Sequence, residues 1–174
     1  MELREDDGTF PVREVHRTAF AGEHGDLVAG LVDDLRRDPL TRSLVAIEDG
    51  EVVGNVMFSH NRLDAPDRLV DVQVLSPLAV LPGYRRRGIG SALIRRGLET
   101  LDGFRVPLVF LEGDPRYYAR AGFVPAGPLG FGKPSLRIPD AAFQVYRLSA
   151  YEPWMTGTLV YHEAFWAHDA VGLR

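Results

Sequence analysis

"LAVLPGYRRRGIGSALI", residues 78–94, runs from an apolar stretch through a Pro-Gly turn into three arginines, then into two glycines and aliphatic residues. The first part reads as the end of a strand. The last part opens a helix, because Ile89, Leu93, Leu98 and Leu101 recur at helical spacing. The first turn of a helix carries unpaired N–H groups at the positive end of its dipole, and this attracts phosphate. Gly88 and Gly90 remove side chains where a ligand must lie against backbone, while Arg85, Arg86 and Arg87 put positive charge at the rim. A diphosphate suits that description. Three adjacent arginines alone read as a solvated patch; the flanking glycines and helix start favour the binding reading. The stretch lacks the Gly-Lys-Ser/Thr of a P-loop and the third glycine of a dinucleotide fingerprint.

Working outward, residues 2–6 suit a short strand. Val12, Val15 and Ala19 share one helical face, and Val28, Leu31, Val32 and Leu35 define a second helix that Asp26 is placed to cap and Pro39 to stop. "SLVAIEDGEVVGNVMFSH" (43–60) is a hairpin around Asp49-Gly50. "NRLDAPDR" (61–68) reads as a polar loop, and a long strand follows over 69–80, in which Pro77 predicts a bulge or a local departure from a neighbouring strand around residues 76–78. After the helix at 89–101, "VPLVFLEG" (106–113) reads as a buried strand, so strand, helix and strand imply a parallel right-handed crossover. Asp114 and Pro115 open a short helix that Gly122 closes. Further strands are expected near 123–126, 142–148 and 157–162.

With 174 residues and 45% hydrophobic content, the chain is sized for one domain with a sizeable core. A formal charge of −4 argues against a general nucleic-acid binder. The chain has no cysteine, which excludes disulfides, thiolate metal sites and a cysteine nucleophile. No run approaches the roughly 18 apolar residues of a membrane span, and "MELREDDG" is unlike a signal peptide, so a soluble cytoplasmic protein is expected. His162, Glu163 and His168 lack metal-site spacing, and no metal is expected.

Arg85-x-x-Gly88-x-Gly90 between a strand and a helix resembles the [RQ]-x-x-G-x-[GA] signature of the GNAT superfamily of N-acetyltransferases. "RYYARAGF" (116–123) is similar to a second motif of that family, aromatic-Tyr-x-x-x-Gly-Phe, with Tyr118, Gly122 and Phe123 in place. The resemblance covers residues 1–150 in element order, its specific residues lying between 78 and 123. It implies an α/β fold with a mixed, mostly antiparallel sheet, a splayed parallel strand pair and flanking helices. Residues 151–174 form a C-terminal extension whose aromatics, Trp154, Tyr161, Phe165 and Trp166, suit packing onto the body or onto a second subunit in a homodimer.

By this resemblance acetyl-CoA is the co-substrate and a primary amine of a small molecule or peptide is the acceptor, with no nucleic-acid or membrane partner. Leu78, Ala79 and Val80 would line the pantetheine, and Arg85, Arg86, Arg87, Gly88, Ile89, Gly90 and Ser91 would hold the diphosphate. The amine would attack the thioester directly. Backbone N–H near Val80 would face the oxyanion, and Tyr118 would protonate the departing thiolate. The glutamate that serves many family members as base falls at Val74 here, leaving Asp71, Gln73, His60, Glu112 or a water chain. Glu112 stands out because it ends a parallel strand, where α/β folds bind ligands. The structural alternatives are that Glu112 caps the next helix, that His60 is a hydrogen-bonded pocket histidine and that Tyr117 is a core aromatic. Two other functions compete: a non-catalytic acyl-CoA-binding or regulatory module, for which Val74 speaks, and a phosphate-binding interaction domain using the arginine loop alone.

Overall fold

The computed structural model describes residues 1–172. Along the chain run β1 (Glu2–Glu5), α1 (Val12–Phe20), α2 (Gly22–Arg37), β2 (Arg42–Glu48), β3 (Glu51–Asp64), β4 (Leu69–Val80), α3 (Ile89–Gly103), β5 (Leu108–Glu112), α4 (Pro115–Tyr118), β6 (Val124–Pro125), β7 (Phe131–Gly132), β8 (Phe143–Arg147), β9 (Gly157–Val160) and α5 (Glu163–Ala167). Packing divides the chain into two units, Met1–Ser59 with Leu75–Glu99, and His60–Val74 with the residues from Thr100 onward. The last two residues of the 151–174 extension lie outside the described residues.

In the first unit β1, β2 and β3 form an antiparallel meander, β1 pairing Glu2 with Ile47 through Glu5 with Leu44. The hairpin turn sits at Asp49-Gly50, both at positive φ (50° and 82°), the left-handed pair that matches the strands' own twist. Helices α1 and α2 meet without a loop. Ala21 and Gly22 turn the chain at φ 58° and 56°, so α2 begins at Gly22 and Asp26 lies within it rather than capping it. Of the predicted stripes Ala19 is only half-buried, while Val12, Val15, Val28, Leu31, Val32 and Leu35 are all buried. Each contributes roughly 1.5–3 kcal/mol by leaving water. Helix α3 lies against β3 because two glycines permit it. A Cβ on Gly54 would come within 3.1 Å of Ile89, and one on Gly97 would enter the Phe58 ring.

The second unit holds the parallel crossover pair, with β4 beside β5 at Gln73↔Val109 and Val74↔Phe110. Strand β8 is antiparallel to β5 over five pairs, from Leu108↔Arg147 to Glu112↔Phe143, and β6 adds to its other side. One expectation is corrected here. Residues 61–64 continue β3 instead of looping, because Arg62, Leu63 and Asp64 pair with Val160, Leu159 and Thr158 of β9. Strand β4 runs to Val80 with Pro77 buried, and its pairing with β5 is confined to Gln73 and Val74, in keeping with the local departure from a neighbouring strand expected around Pro77. The core of this unit is aromatic, with Phe110 stacked on Phe143 (centroids 5.7 Å apart) and edge-on to Phe131 (5.1 Å).

Candidate active site

The arginine–glycine loop belongs to the first unit. Pro82–Tyr84 make one tight turn after β4, and α3 starts at Ile89. The three arginines divide their work. Arg85 turns back onto the chain, donating from Nε to the Val80 carbonyl (3.1 Å) and from Nη2 to the Ala19 carbonyl (2.7 Å), which ties the loop to the end of β4 and to α1. Arg87 pairs with Glu48 at 2.9 Å and covers the Tyr84 ring. Arg86, exposed and at φ 59°, has no hydrogen bond or ion pair among the described residues. Gly88 stands at φ 79°, and a Cβ placed on it would meet nothing within 4 Å. Open backbone, a helix N-terminus and an unpaired cation therefore coincide, the combination that recognises a polyanion. Ile89 and Gly90 are buried and Ser91 is exposed at the first helical turn, while Leu78 and Val80 are half-buried on either side of buried Ala79.

Tyr118 and Glu112 belong to the second unit. Asp114 caps α4, its carboxylate accepting the Arg116 N–H at 2.9 Å, and Gly122 ends the turn that follows at φ 99°. This short helix lays the Tyr118 ring against Gly113, where a Cβ would come within 2.6 Å of the ring. Tyr117 and Phe123 flank it edge-on at 4.9 and 6.0 Å. Burial, helped by neighbouring Tyr117, pushes the Tyr118 hydroxyl well above the usual phenol range, so it stays protonated. Glu112, at the carboxyl end of β5, is half-buried, and burial raises its pKa above that of a solvated glutamate. Three influences oppose that rise: a hydrogen bond from the Tyr161 hydroxyl (2.8 Å), one from the Gly172 N–H, and the charge of Arg137.

The remaining polar candidates are placed differently. His60 Nε2 and Asp71 Oδ1 are 2.7 Å apart, with Asp71 largely in solvent. Gln73 and Val74 are both buried, and Val74 carries no group that could move a proton. His162 caps α5, its Nδ1 accepting the Ala164 N–H.

Residues 5–126 match the model of the acetyltransferase (GNAT) domain. This chain belongs to the GNAT family of acetyltransferases. Among its relatives, the N-acetyltransferase YjhQ of Escherichia coli K12 is 36% identical over 155 residues, covering 84% of this chain and 82% of that protein. E. coli YhbS is 39% identical over 145 residues, covering 80% and 84%. The crystal structure of E. coli YhbS in complex with CoA shares the fold with a TM-score of 0.81, at 33% identity, over 94% of this chain and 91% of that one. A GNAT acetyltransferase from Brucella melitensis in complex with acetyl-CoA gives a TM-score of 0.75 at 32% identity, over 94% and 97%.

Both halves of the sequence-predicted site thus sit on well-formed elements of this GNAT enzyme. Sequence reasoning did not foresee Tyr161 as the partner of Glu112, nor His16 and Asn55. His16 is fully buried, and its Nε2 donates to Asn55 Oδ1 at 2.7 Å, since the Asn55 amide is itself spent on Ser43 Oγ and the Leu44 carbonyl. Burial holds the His16 pKa down at about 4, so the ring is neutral. The signal for Tyr161 was an aromatic in an amphipathic tail, indistinguishable in sequence from ordinary packing.

Proposed function

We propose that this acetyltransferase moves the acetyl group of acetyl-CoA onto a primary amine by direct attack. Leu78–Val80 and Arg85–Ser91 hold the co-substrate, Tyr118 donates to the departing sulfur and Glu112 accepts the proton of the amine. The observation that carries the reading is the pair of relatives, each above 30% identity and matched over 94% of this chain, whose structures contain CoA and acetyl-CoA. The open backbone at Gly88 and the unpaired Arg86 support it locally.

The chemistry requires one N–C bond to form and one C–S bond to break, with a proton leaving nitrogen and a proton ending on sulfur. Glu112 suits the first proton movement because partial burial makes it a stronger base than a solvated carboxylate. Tyr118 suits the second. Its hydroxyl remains protonated and has no hydrogen-bond partner among the described residues, so it is available to the sulfur. A thiol titrates at about 8.5, below half-buried Tyr118. The hydroxyl therefore acts as a hydrogen-bond donor while charge gathers on sulfur, and net proton transfer follows only as the thiol is completed.

The test is CoA-thiol release from acetyl-CoA across a panel of primary amines, including peptides with free N-termini, polyamines and amino-acid amides. Turnover with at least one acceptor is expected. Acetyl-CoA binding without release across the whole panel would favour the non-catalytic module instead.

A further inference from the structure

The GNAT domain match ends at residue 126, yet the chain beyond it converges on Glu112. Tyr161, 7% exposed, reaches Glu112 Oε2 with its hydroxyl at 2.8 Å, and its ring is packed by Phe165 (4.9 Å) and Trp166 (6.2 Å). Next to it, the His162 N–H donates to Asn61 Oδ1 at 2.5 Å, and β9 is paired to the end of β3. Further along, Asp169 pairs with Arg137 at 3.0 Å, Val171 is buried, and Gly172 approaches so closely that a Cβ would lie 3.1 Å from the Arg137 carbonyl. That approach accompanies the second hydrogen bond, from the Gly172 N–H to Glu112.

We propose that Tyr161 is a positioning residue for Glu112, and that the C-terminal segment is part of the catalytic apparatus rather than packing alone. The proposal rests on Glu112 being the base. A carboxylate offers about four lone-pair sites, so two hydrogen bonds fix its orientation and leave room for the proton of the amine. The charged and titratable groups acting on Glu112 are Tyr161 and Arg137. Both favour the ionised form, as does the Gly172 N–H, and together they offset only part of the burial that disfavours it. Removing the tyrosine hydroxyl leaves burial less opposed. The carboxyl then stays protonated to a higher pH, and the acid limb of the rate profile moves upward.

The experiment compares kcat/KM against pH for the full chain, Tyr161→Phe, Glu112→Gln and the double variant, using an accepted amine, together with acetyl-CoA affinity. Tyr161→Phe is expected to move the acid limb up by about one pH unit, a roughly tenfold loss on the limb, and to lower the high-pH rate as well because the ionised carboxylate loses an orienting hydrogen bond, with acetyl-CoA affinity retained. Glu112→Gln, which keeps an oxygen acceptor for Tyr161, is expected to remove the limb and cost about 100-fold in rate. The double variant should be no slower than Glu112→Gln. An unmoved limb in Tyr161→Phe, or an equal loss from Tyr161→Phe in the Glu112→Gln background, overturns the positioning role while leaving Glu112 as base. Glu112→Gln with an unchanged rate and limb overturns the underlying reading and the positioning role with it. If Tyr161→Phe does not fold, a chain ended after Asp169 removes the Gly172 N–H instead and must shift the limb in the same direction. A 13C titration of the Glu112 carboxyl reads the same shift without activity.

Discussion

Arg85–Ser91 exposes open backbone at Gly88, whereas Glu112 meets its surroundings through groups drawn from far along the chain, Tyr161 lying 49 residues away. In the loop, local sequence dictates geometry: a turn at Pro82–Tyr84, a left-handed Arg86, an open Gly88 and a helix that begins at once. At Glu112 the adjacent sequence supplies the strand end only. What gives the carboxylate its basicity is burial, and what orients it while tempering that basicity is the C-terminal segment. A site made of backbone should break by adding atoms. One made of converging side chains should break by removing them.

The largest effect is expected from Gly88→Asp, which sets a negative charge on the open face and a Cβ at φ 79°. Acetyl-CoA affinity measured by calorimetry should fall at least about 100-fold, most of it from charge, since left-handed strain costs only about 1–2 kcal/mol. Gly88→Ala, carrying the strain without the charge, should lose far less, and equal losses would reverse that assignment.

Next comes Tyr118→Phe, expected to lower kcat about 100-fold while leaving acetyl-CoA affinity within twofold. Loss confined to affinity would move Tyr118 from the reaction to the binding surface.

His16 supplies the control, a tertiary pairing in the unit of the loop with no assigned chemistry. Its folded pKa of about 4 lies below its ordinary value of 6.5. The unfolded chain therefore binds the extra proton first, and stability is complete above about pH 6.5 and declines as pH falls toward 4. One such proton corresponds to about 1.4 kcal/mol per pH unit. Urea denaturation between pH 7 and 5 should show this slope, and His16→Gln should flatten it. An unchanged slope would assign the acid sensitivity elsewhere.

The smallest effect separates two neighbouring arginines. Arg86→Ala should weaken acetyl-CoA binding about three- to fivefold and reduce its salt dependence, with little change in Tm. Arg85→Ala should lower Tm, because it frees the Val80 and Ala19 carbonyls. The reverse pattern would show that Arg85 is the phosphate ligand and its carbonyl contacts are incidental.

Much of the fold could be read from residue spacing. The α1 and α2 stripes, the Asp49-Gly50 hairpin, the β4–α3–β5 crossover and the cap at Asp114 all depend on neighbours within a few residues. The misplacements have one physical origin. Polar Asn61–Asp64 resembles a loop until β9 supplies hydrogen-bond partners, and Asp26 resembles a cap until the abrupt Ala21–Gly22 turn starts α2 earlier. The two-residue β7 is too short to leave any periodic signature.

The sequence by itself determined the shape of the arginine–glycine loop, because glycine placement, helix initiation and arginine spacing are local properties that survive without knowledge of distant contacts. Tertiary structure alone decided which of Arg85, Arg86 and Arg87 has no partner among the described residues, that His16 is neutral, and that Tyr161 and Gly172 hold Glu112. The strength of a charge or a hydrogen bond depends on what excludes water around it. That environment is assembled from residues the linear chain keeps far apart.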